Sequence, residues 1–322
     1  MKNKIEIIVN SDQAGERLDS FIGNNSKVSR SNAVKLLDDG LVLVNGEICN
    51  KKYKVKVGDK IELMLPPPPK MSIEAENIPL DIVYEDDYLA VINKPAGMVT
   101  HPAIANRSGT LVNALLYYFK NLPHDDSPER PGIVHRLDKN TTGLLIVGKE
   151  ETAFKKLQKM MSERLISRQY LALICGHLKE DEGTIEMNIG RSSRDRKKMA
   201  VLKTQGRSAI TTYQVTKRFR TYDLLDVSLM TGRTHQIRVH FAHLGHPVFG
   251  DPEYGGRDKW HRGIFAPERP LAKKLLDTLK RQALHAQKLS LDHPITGEKL
   301  LFTVPPPPDF QALLDILESE GA

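Results

Sequence analysis

The chain has little of what stabilises secreted or membrane-embedded proteins. Cys49 and Cys175 are its two cysteines, too few for a disulfide framework or a four-cysteine zinc site. Its apolar runs, such as residues 144–147, are far too short to span a bilayer. The N-terminus lacks the apolar core and the small-residue cleavage site of a signal peptide. These absences predict a protein that works in a reducing, cytoplasmic setting without a membrane partner.

The composition is that of an ordinary globular protein. Hydrophobic residues make up 40% of the chain and charged residues 27%, which excludes wholesale disorder and collagen-like repeats. The length of 322 residues allows two or three domains with buried cores.

Positive charge is concentrated in one part of the sequence. The formal net charge of +7 is modest for this length, so the distribution of charge is more informative than the total. Between Arg191 and Arg220 there are ten basic residues, opposed only by Asp195. Such a stretch indicates a phosphate-rich partner, with a solvated surface face as the alternative. Its densest part contains Arg194, Arg196, Lys197 and Lys198.

Two proline runs divide the chain. Proline removes backbone donors and favours extended geometry, so the run at 66–69 predicts a linker over residues 66–71. The linker separates an N-terminal domain, residues 1–65, from a larger domain, residues 72–304. A second run at 305–308 begins a C-terminal segment, 305–322, with a short helix over 310–317.

The N-terminal domain is predicted to be a small α/β unit. Ser29 is a predicted N-cap for a helix over 30–37. Asn45-Gly46 is a type I′ turn sequence between a strand over 41–44 and a second strand from residue 47. Alternating apolar residues over 55–63, on both sides of Gly58-Asp59, predict a further strand pair.

The larger domain mixes strands with few helices. Strands are predicted over 89–92, 144–147, 170–174 and 224–229, and an amphipathic helix over 152–165. A second helix, 235–244, would be capped by Thr234 and would bury Ile237, Phe241 and Leu244. Because the strands do not alternate regularly with helices, the fold class is α+β.

Four polar segments between these strands are candidates for chemistry, since function concentrates on loops held by a rigid scaffold. They are residues 93–102, 135–143, 168–170 and 231–240. In the second, Asp138 lies between Arg136 and Lys139, and an ionised aspartate can act as a nucleophile or a base. Each of the outstanding residues also has a plain structural interpretation. Asp138 would be a turn residue, Tyr170 a core aromatic, and Arg238 an exposed helix residue.

A metal site is the other possibility that the sequence raises. His235, His240, His243 and His246 are followed by Asp251. Zinc-binding helices place histidines four residues apart on one face, whereas the spacings here are five, three and three. No cysteine lies near, so the pattern predicts no metal site.

The first part of the chain resembles the S4 RNA-binding domain. The resemblance covers roughly residues 15–65. It is carried by Glu16-Arg17-Leu18-Asp19, Ser29-Arg30-Ser31, Gly40-Leu41-Val42 and Val44-Asn45-Gly46. That family presents a two-helix surface to structured RNA, which implies an RNA-binding role for Lys27, Arg30 and Lys35. The charge of residues 1–65 is nearly balanced and would not by itself indicate an RNA-binding domain.

The four polar segments resemble those of the pseudouridine synthases. The match is to the branch that modifies ribosomal and transfer RNA and includes the large-subunit synthase often fused to an S4 domain. The most specific motif is His135-Arg136-Leu137-Asp138 followed by Thr142-Gly143, with threonine where serine is more usual. The resemblance covers nearly the whole chain. It implies a mixed, mainly antiparallel sheet with a cleft across its middle.

The resemblance also implies an activity and roles for individual residues. The enzyme would isomerise uridine to pseudouridine in RNA, most often ribosomal RNA with transfer RNA as the alternative, as a monomer and without a cofactor. Asp138 would be the essential nucleophile, Tyr170 the tyrosine that stacks on the base and later serves as a base, and Arg238 the partner of the aspartate. The implied substrate-binding residues are Arg136, Leu229, Lys94, His101 and Arg233. The basic residues at 194 and 196–198 would contact RNA.

Two other function classes remain open from the residues alone. A non-catalytic RNA-binding module would be favoured by loss of Asp138 or Tyr170, and both are present. A glycosidic-bond hydrolase usually needs two working carboxylates. The motif around Asp138 holds one, although residues 81–87 form an acidic stretch without an assigned place.

Overall fold

The computed structural model of the chain describes residues 3–26, 28–65, 73–102, 106–125 and 129–320. It divides the chain into two compact units, Met1–Ser72 and Ile73–Ala322. The predicted linker, 66–71, and Lys27 lie outside the described residues. Within the described ranges, no helix combines the length and apolarity needed to cross a membrane.

The N-terminal unit packs two helices on an antiparallel sheet. Its strands are β1 (Asn3–Ile8), β2 (Val42–Val44), β3 (Glu47–Ile48) and β4 (Lys60–Leu65), and its helices are α1 (Leu18–Asn25) and α2 (Arg30–Asp38). The strand order is β1-β4-β2-β3. Phe21 and Ile22 of α1, with Leu36 of α2, pack on Ile61 of β4 and form the core of the unit.

Two of the three local predictions for this unit are confirmed. The Ser29 hydroxyl accepts a hydrogen bond from the Asn32 N–H at the start of α2. Asn45 and Gly46 have φ values of 52° and 86°, and a type I′ turn requires positive φ at both positions.

The predicted strand pair around Gly58-Asp59 is wrong in its first half. Residues 55–57 form no strand, and Val57 is exposed. The Asp59 carboxylate accepts hydrogen bonds from the Lys56 N–H and the Tyr53 hydroxyl. A side chain that bonds nearby backbone in this way competes with a strand ladder, so the turn is extended at the expense of the strand.

The larger unit is built on a long mixed sheet. Its strands are β5 (Ile82–Glu85), β6 (Leu89–Lys94), β7 (Thr142–Gly148), β8 (Ser167–Cys175), β9 (Glu182–Arg191), β10 (Met199–Leu202), β11 (Arg207–Arg218), β12 (Tyr222–Leu229), β13 (Leu284–Asp292) and β14 (Lys299–Thr303). The order is β10-β9-β11-β12-β8-β13-β7-β6-β5, with β14 beside β13. Among the described strands, β13 and β7 are the parallel pair, and the other pairs are antiparallel. The predicted α+β class with a mainly antiparallel sheet is confirmed.

Helices cover the faces of this sheet. They are α3 (Leu111–Tyr118), α4 (Glu151–Ser162), α5 (Gln236–His243), α6 (Asp258–Gly263), α7 (Arg269–Thr278) and α8 (Pro308–Glu320). The C-terminal helix, α8, is longer than the predicted 310–317. Together with α7 it packs on β8 through Phe310, Leu313 and Leu317.

Both predicted amphipathic helices differ from the structure near their ends. Helix α4 ends at Ser162 because Arg164 takes a left-handed conformation (φ 63°), which leaves Leu165 exposed. Helix α5 starts after His235, itself left-handed (φ 57°), rather than at a Thr234 cap. Ile237 and Phe241 are buried as predicted, whereas Leu244 is 38% exposed and Arg238 is 4% exposed, the reverse of the prediction for these two residues.

The parallel pairing of β7 with β13 depends on Gly143. This residue pairs with Ala286 and has a φ of 108°. A Cβ atom at position 143 would lie 2.2 Å from the Ala286 carbonyl oxygen, so no other residue fits without moving a strand. Beside it, the Thr142 hydroxyl and His285 Nδ1 are 2.9 Å apart. The loop that precedes β7 is thereby fixed against β13.

The basic stretch 191–220 does not form one surface. The twelve residues of β11 run through it and separate its ends by roughly 35 Å. At the far end, Lys217 pairs with Glu318 (2.8 Å) and Arg220 with Glu268 (2.8 Å). The unpaired positive charge is therefore concentrated in the loop between β9 and β10.

Candidate active site

Segments that are distant in the sequence surround one cavity of about 450 Å³ in the larger unit. Its wall is formed by the loop before β7, the first residues of β8, the end of β12 and the loop into α5. The sequence-predicted residues in this wall are His101, Arg136, Asp138, Tyr170, Leu229, Arg233 and Arg238. The structure therefore brings together all the predicted catalytic residues and most of the predicted substrate-binding residues.

Asp138 and Arg238 form an ion pair in the cavity wall. Asp138 Oδ2 accepts a hydrogen bond from Arg238 Nη1 at 3.0 Å, although the residues are one hundred positions apart. The Asp138 side chain is 15% exposed and that of Arg238 4%. The turn interpretation describes only the Asp138 backbone, whose carbonyl accepts from the Thr141 N–H. The carboxylate itself is directed to Arg238.

A cluster of acidic residues holds Arg238 in place. Asp251 accepts from its Nε at 2.6 Å and from its Nη2 at 3.0 Å, Glu253 also accepts from Nη2, and the Tyr254 ring lies 4.9 Å from the guanidinium carbon. Burial disfavours the charged guanidinium, but the hydrogen bonds and charge of Asp251, with the charge of Asp138, raise the pKa of Arg238 above its usual value. Arg238 is thus a fixed cation, and its interpretation as an exposed helix residue is wrong.

Tyr170 and Leu229 line the cavity beside this pair. Tyr170 is 4% exposed on β8 and belongs to the main hydrophobic cluster, which also contacts Leu229 at the end of β12. Tyr170 is therefore a core aromatic, as its plain structural interpretation has it, and it also lines the cavity. Burial raises the pKa of the Tyr170 phenol, the charge of Arg168 partly opposes this increase, and the charge of Asp138 adds to it. The phenol is accordingly protonated at neutral pH.

Lys94 lies outside the cavity wall and does not fit the predicted substrate-binding role. It is fully buried, and its Nζ donates to the carbonyls of Pro95 (2.7 Å), Met98 (2.9 Å) and Lys139 (3.3 Å). Burial lowers the pKa of Lys94 to about 7. Since Lys139 follows Asp138 directly, Lys94 connects β6 to the loop that carries the aspartate.

Some residues of the site have a different role from the one that the sequence suggests. Asp251 and His235 were considered as metal ligands, but Asp251 binds Arg238, and His235 Nδ1 lies 2.8 Å from the Tyr254 hydroxyl. The other histidines of that cluster diverge. His240 Nδ1 lies 3.0 Å from the Thr211 hydroxyl, and His246 Nδ1 lies 3.1 Å from the Cys175 carbonyl. Among the described residues, no group of three or more His, Cys, Asp or Glu is arranged to hold a metal ion.

The predicted RNA-contacting residues lie on exposed segments of each unit. Arg194, Arg196 and Lys197 are exposed in the β9–β10 loop, whereas Lys198 donates to the Glu253 carbonyl (2.8 Å). In the N-terminal unit, Lys35 is exposed on α2. Arg30, on the same helix, is paired with the buried Asp19 (3.1 Å).

Comparison with known proteins identifies the class of enzyme. Residues 88–243 match the family model described as RNA pseudouridylate synthase, and residues 16–61 match that of the S4 domain. An uncharacterized RNA pseudouridine synthase of Bacillus subtilis (strain 168) is 39% identical over 320 residues, which cover 99% of this chain and 100% of the relative. The chain belongs to the RNA pseudouridine synthase family. It is therefore an isomerase that acts on RNA, and the resemblance stated from its motifs is confirmed.

Other relatives agree with this assignment. The ribosomal large subunit pseudouridine synthase D of Escherichia coli (strain K12) is 41% identical over 317 residues, covering 97% of this chain and 94% of the relative. The solved structure of human RNA pseudouridylate synthase domain containing 1 is 28% identical and has a TM-score of 0.53. It covers 77% of this chain and 90% of the human chain. Because the chain belongs to this family, the two alternatives, a glycosidic-bond hydrolase and a non-catalytic RNA-binding module, are excluded as its function.

Proposed function

We propose that the synthase isomerises uridines of large-subunit ribosomal RNA, that Asp138 is its reacting carboxylate, and that the reaction needs no cofactor. The substrate is inferred from relatives named as large-subunit synthases at 41–42% identity over nearly the full chain. An S4 domain in the same chain supports a structured RNA as the target.

The observation that carries the assignment of Asp138 is its ion pair with Arg238 in the cavity wall (3.0 Å). Uridine becomes pseudouridine when the N1–C1′ bond breaks, a C5–C1′ bond forms, C5 loses a proton and N1 gains one. The exchange takes place within one nucleotide, so no oxidant or reductant is required. Asp138 is the carboxylate of the wall that meets the cavity beside Tyr170. Arg238 fixes its direction, as electrostatic preorganisation requires.

The rest of the cavity suits an extruded base. A base inside folded RNA must leave its stack to react, and enzymes of this kind receive it between aromatic and apolar side chains. Tyr170 and Leu229 supply such a surface at the cavity. Arg136 is exposed at the same wall, where it would occupy the space that the base leaves in the RNA.

The test replaces Asp138 by asparagine, which is nearly isosteric. The variant is expected to fold, to bind RNA and to lose turnover, measured as tritium release from C5-labelled RNA in buffer containing a metal chelator. Activity within about tenfold of the unaltered enzyme would contradict the role of Asp138. Loss of wild-type activity in the chelator would contradict the cofactor-free proposal.

The substrate is tested in cells. Pseudouridines are mapped in a strain that lacks the gene and is complemented with the wild-type or the Asp138→Asn gene. We expect sites in large-subunit ribosomal RNA that only the wild-type gene restores. Restoration confined to transfer RNA would contradict the proposed substrate while leaving the role of Asp138 intact.

A further inference from the structure

Arg168 is a buried cation in the wall of the candidate active-site cavity. It takes part in none of the ion pairs that the described residues form there. It lies on β8, two residues before Tyr170, and is 6% exposed. Its Nη2 donates a long hydrogen bond of 3.4 Å to the Leu229 carbonyl. Its Nε has no hydrogen-bond partner in the part of the chain that the structure describes. In the same wall Asp138 forms its ion pair with Arg238, and His235 Nε2 lies 3.9 Å from the Asp138 carboxylate.

The carboxylates in and behind the cavity wall are therefore grouped around one of its arginines. Arg238 is a single cation that contacts three carboxylates, those of Asp138, Asp251 and Glu253. Arg168 contacts no carboxylate among the described residues, and the same wall also contains Arg233. A buried charge without a partner is costly. An anion that arrives with the substrate would supply the missing partner.

The imidazoles near Arg168 are neutral. His135 Nε2 accepts from the Ile146 N–H (3.0 Å), so its Nδ1 carries a proton, and this atom has no partner among the described residues. Burial lowers the pKa of His135 to about 3, and the charge of Arg168 adds to this shift. Burial also lowers the pKa of His101, in the same wall, to about 4. Both imidazoles are therefore uncharged at neutral pH and do not compete with Arg168 for an anion.

We propose that Arg168 binds a phosphate that flanks the target uridine and so orients the extruded nucleotide, with its phosphate at Arg168 and its C1′ towards Asp138. This inference rests on the proposed function of the site. A phosphodiester carries a full negative charge on two oxygens, which matches the planar fork of a guanidinium. The competing ligand, a carbonyl oxygen of the uracil ring, is neutral when the substrate binds and would leave the Arg168 charge uncompensated.

The experiment measures RNA affinity with Arg168 and the phosphate changed separately and together. Fluorescence anisotropy is recorded for a stem-loop substrate whose phosphate on the 5′ or the 3′ side of the target uridine is replaced by a neutral methylphosphonate. All proteins carry Asp138→Asn, so that no turnover occurs. For the phosphate that Arg168 binds, we expect the replacement to weaken binding about tenfold or more with Arg168 present. With Arg168→Gln we expect a change of about twofold or less, and Arg168→Lys should restore part of the difference.

The control is Arg164→Gln, which removes the same charge from an exposed residue four positions away and outside the cavity wall. It should keep the full methylphosphonate effect. The proposal would be overturned if each methylphosphonate weakened binding as much in the Arg168→Gln protein as in the protein that retains Arg168. So would a loss of turnover in an Arg168→Gln protein that retains Asp138, if the same substitution causes no loss of affinity, because that result assigns Arg168 to the base. An active Asp138→Asn enzyme would overturn the proposed function, whereas a methylphosphonate effect that does not depend on Arg168 would overturn only this proposal.

A second measurement separates ligand binding from a structural role. Replacing Arg168 by methionine removes an unpaired buried charge and keeps most of the side-chain volume. The thermal midpoint should therefore stay the same or rise, while RNA affinity falls. A lower midpoint together with unchanged affinity would show that Arg168 supports the fold, and the proposal would be wrong.

Discussion

Asp251→Asn is expected to disable the synthase although residue 251 does not touch the cavity. The carboxylate is fully buried. Its Oδ2 accepts from Arg238 Nε, and its Oδ1 accepts from Arg238 Nη2 and from the backbone N–H groups of Glu253 and Tyr254. An asparagine keeps one oxygen. Its amide nitrogen, which is itself a donor, must then face either the guanidinium or the two backbone N–H groups. In either orientation hydrogen-bond donors face each other without an acceptor between them.

The cost can be worked from these contacts. Breaking a buried ion pair costs about 3–5 kcal/mol, and Arg238 keeps Asp138 and Glu253 as partners, so about 3 kcal/mol is expected. For a unit of this size, about 3 kcal/mol lowers the thermal midpoint by about 6–12 °C. Turnover should fall about tenfold to a hundredfold at saturating RNA, since a displaced Arg238 no longer fixes Asp138.

Asp223→Asn is the matched control for this prediction. Asp223 is also fully buried and bonded to an arginine, Arg218, at 3.0 Å. It lies at the start of β12, whereas the cavity is at the end of that strand. Both variants are assayed by calorimetry and by tritium release at a temperature at which each is folded. If Asp251→Asn lowers turnover no more than Asp223→Asn does, Arg238 does not depend on the acidic cluster for its position, and the reasoning is refuted.

Two further predictions concern buried and exposed lysines and arginines. Burial lowers the pKa of Lys94 to about 7 from an unfolded value of 10.5, so the folded chain binds fewer protons than the unfolded chain between these pH values. The wild type should gain stability relative to Lys94→Met as pH rises from about 7 to 10.5, and a stability difference that is independent of pH in denaturant titrations would contradict this. Replacing Arg194, Arg196 and Lys197 by serine should lower the slope of log affinity against log salt by about 2 units. Serines at Lys179, Lys217 and Arg220, which are ion-paired, should leave it nearly unchanged, and equal effects of the two sets would show that the β9–β10 loop has no special contact with RNA.

The sequence predicts best where a local pattern determines the backbone. Asn45-Gly46 forms its turn because both residues tolerate positive φ. The apolar run over 144–147 becomes the fully buried strand β7. The same patterns fail where a side chain bonds neighbouring groups, as for residues 55–57, which the hydrogen bonds of Asp59 hold out of the sheet.

The site shows the same division. Residue types and spacing leave Asp138 as either a reacting carboxylate or a turn residue and Arg238 as an exposed helix residue. Only the resemblance of the motifs pairs the two. The burial of Arg238 depends on Asp251, which follows it by thirteen positions, and no helical period relates the two. Arg168 lay within one of the candidate segments, but its missing partner can be recognised only in three dimensions.

The position of Asp138 relative to Tyr170 depends on a strand that contains none of the predicted catalytic residues. In the sheet, β13 lies between β8, which carries Tyr170, and β7, which follows Asp138. Leu284 of β13 lines the cavity, and Ala286 approaches Gly143 so closely that only glycine fits there. Without β13, β7 and β8 would have no common neighbour to set their separation. The candidate segments end at residue 240 in the sequence, but the distance across the cavity between Asp138 and Tyr170 depends on residues 284–286.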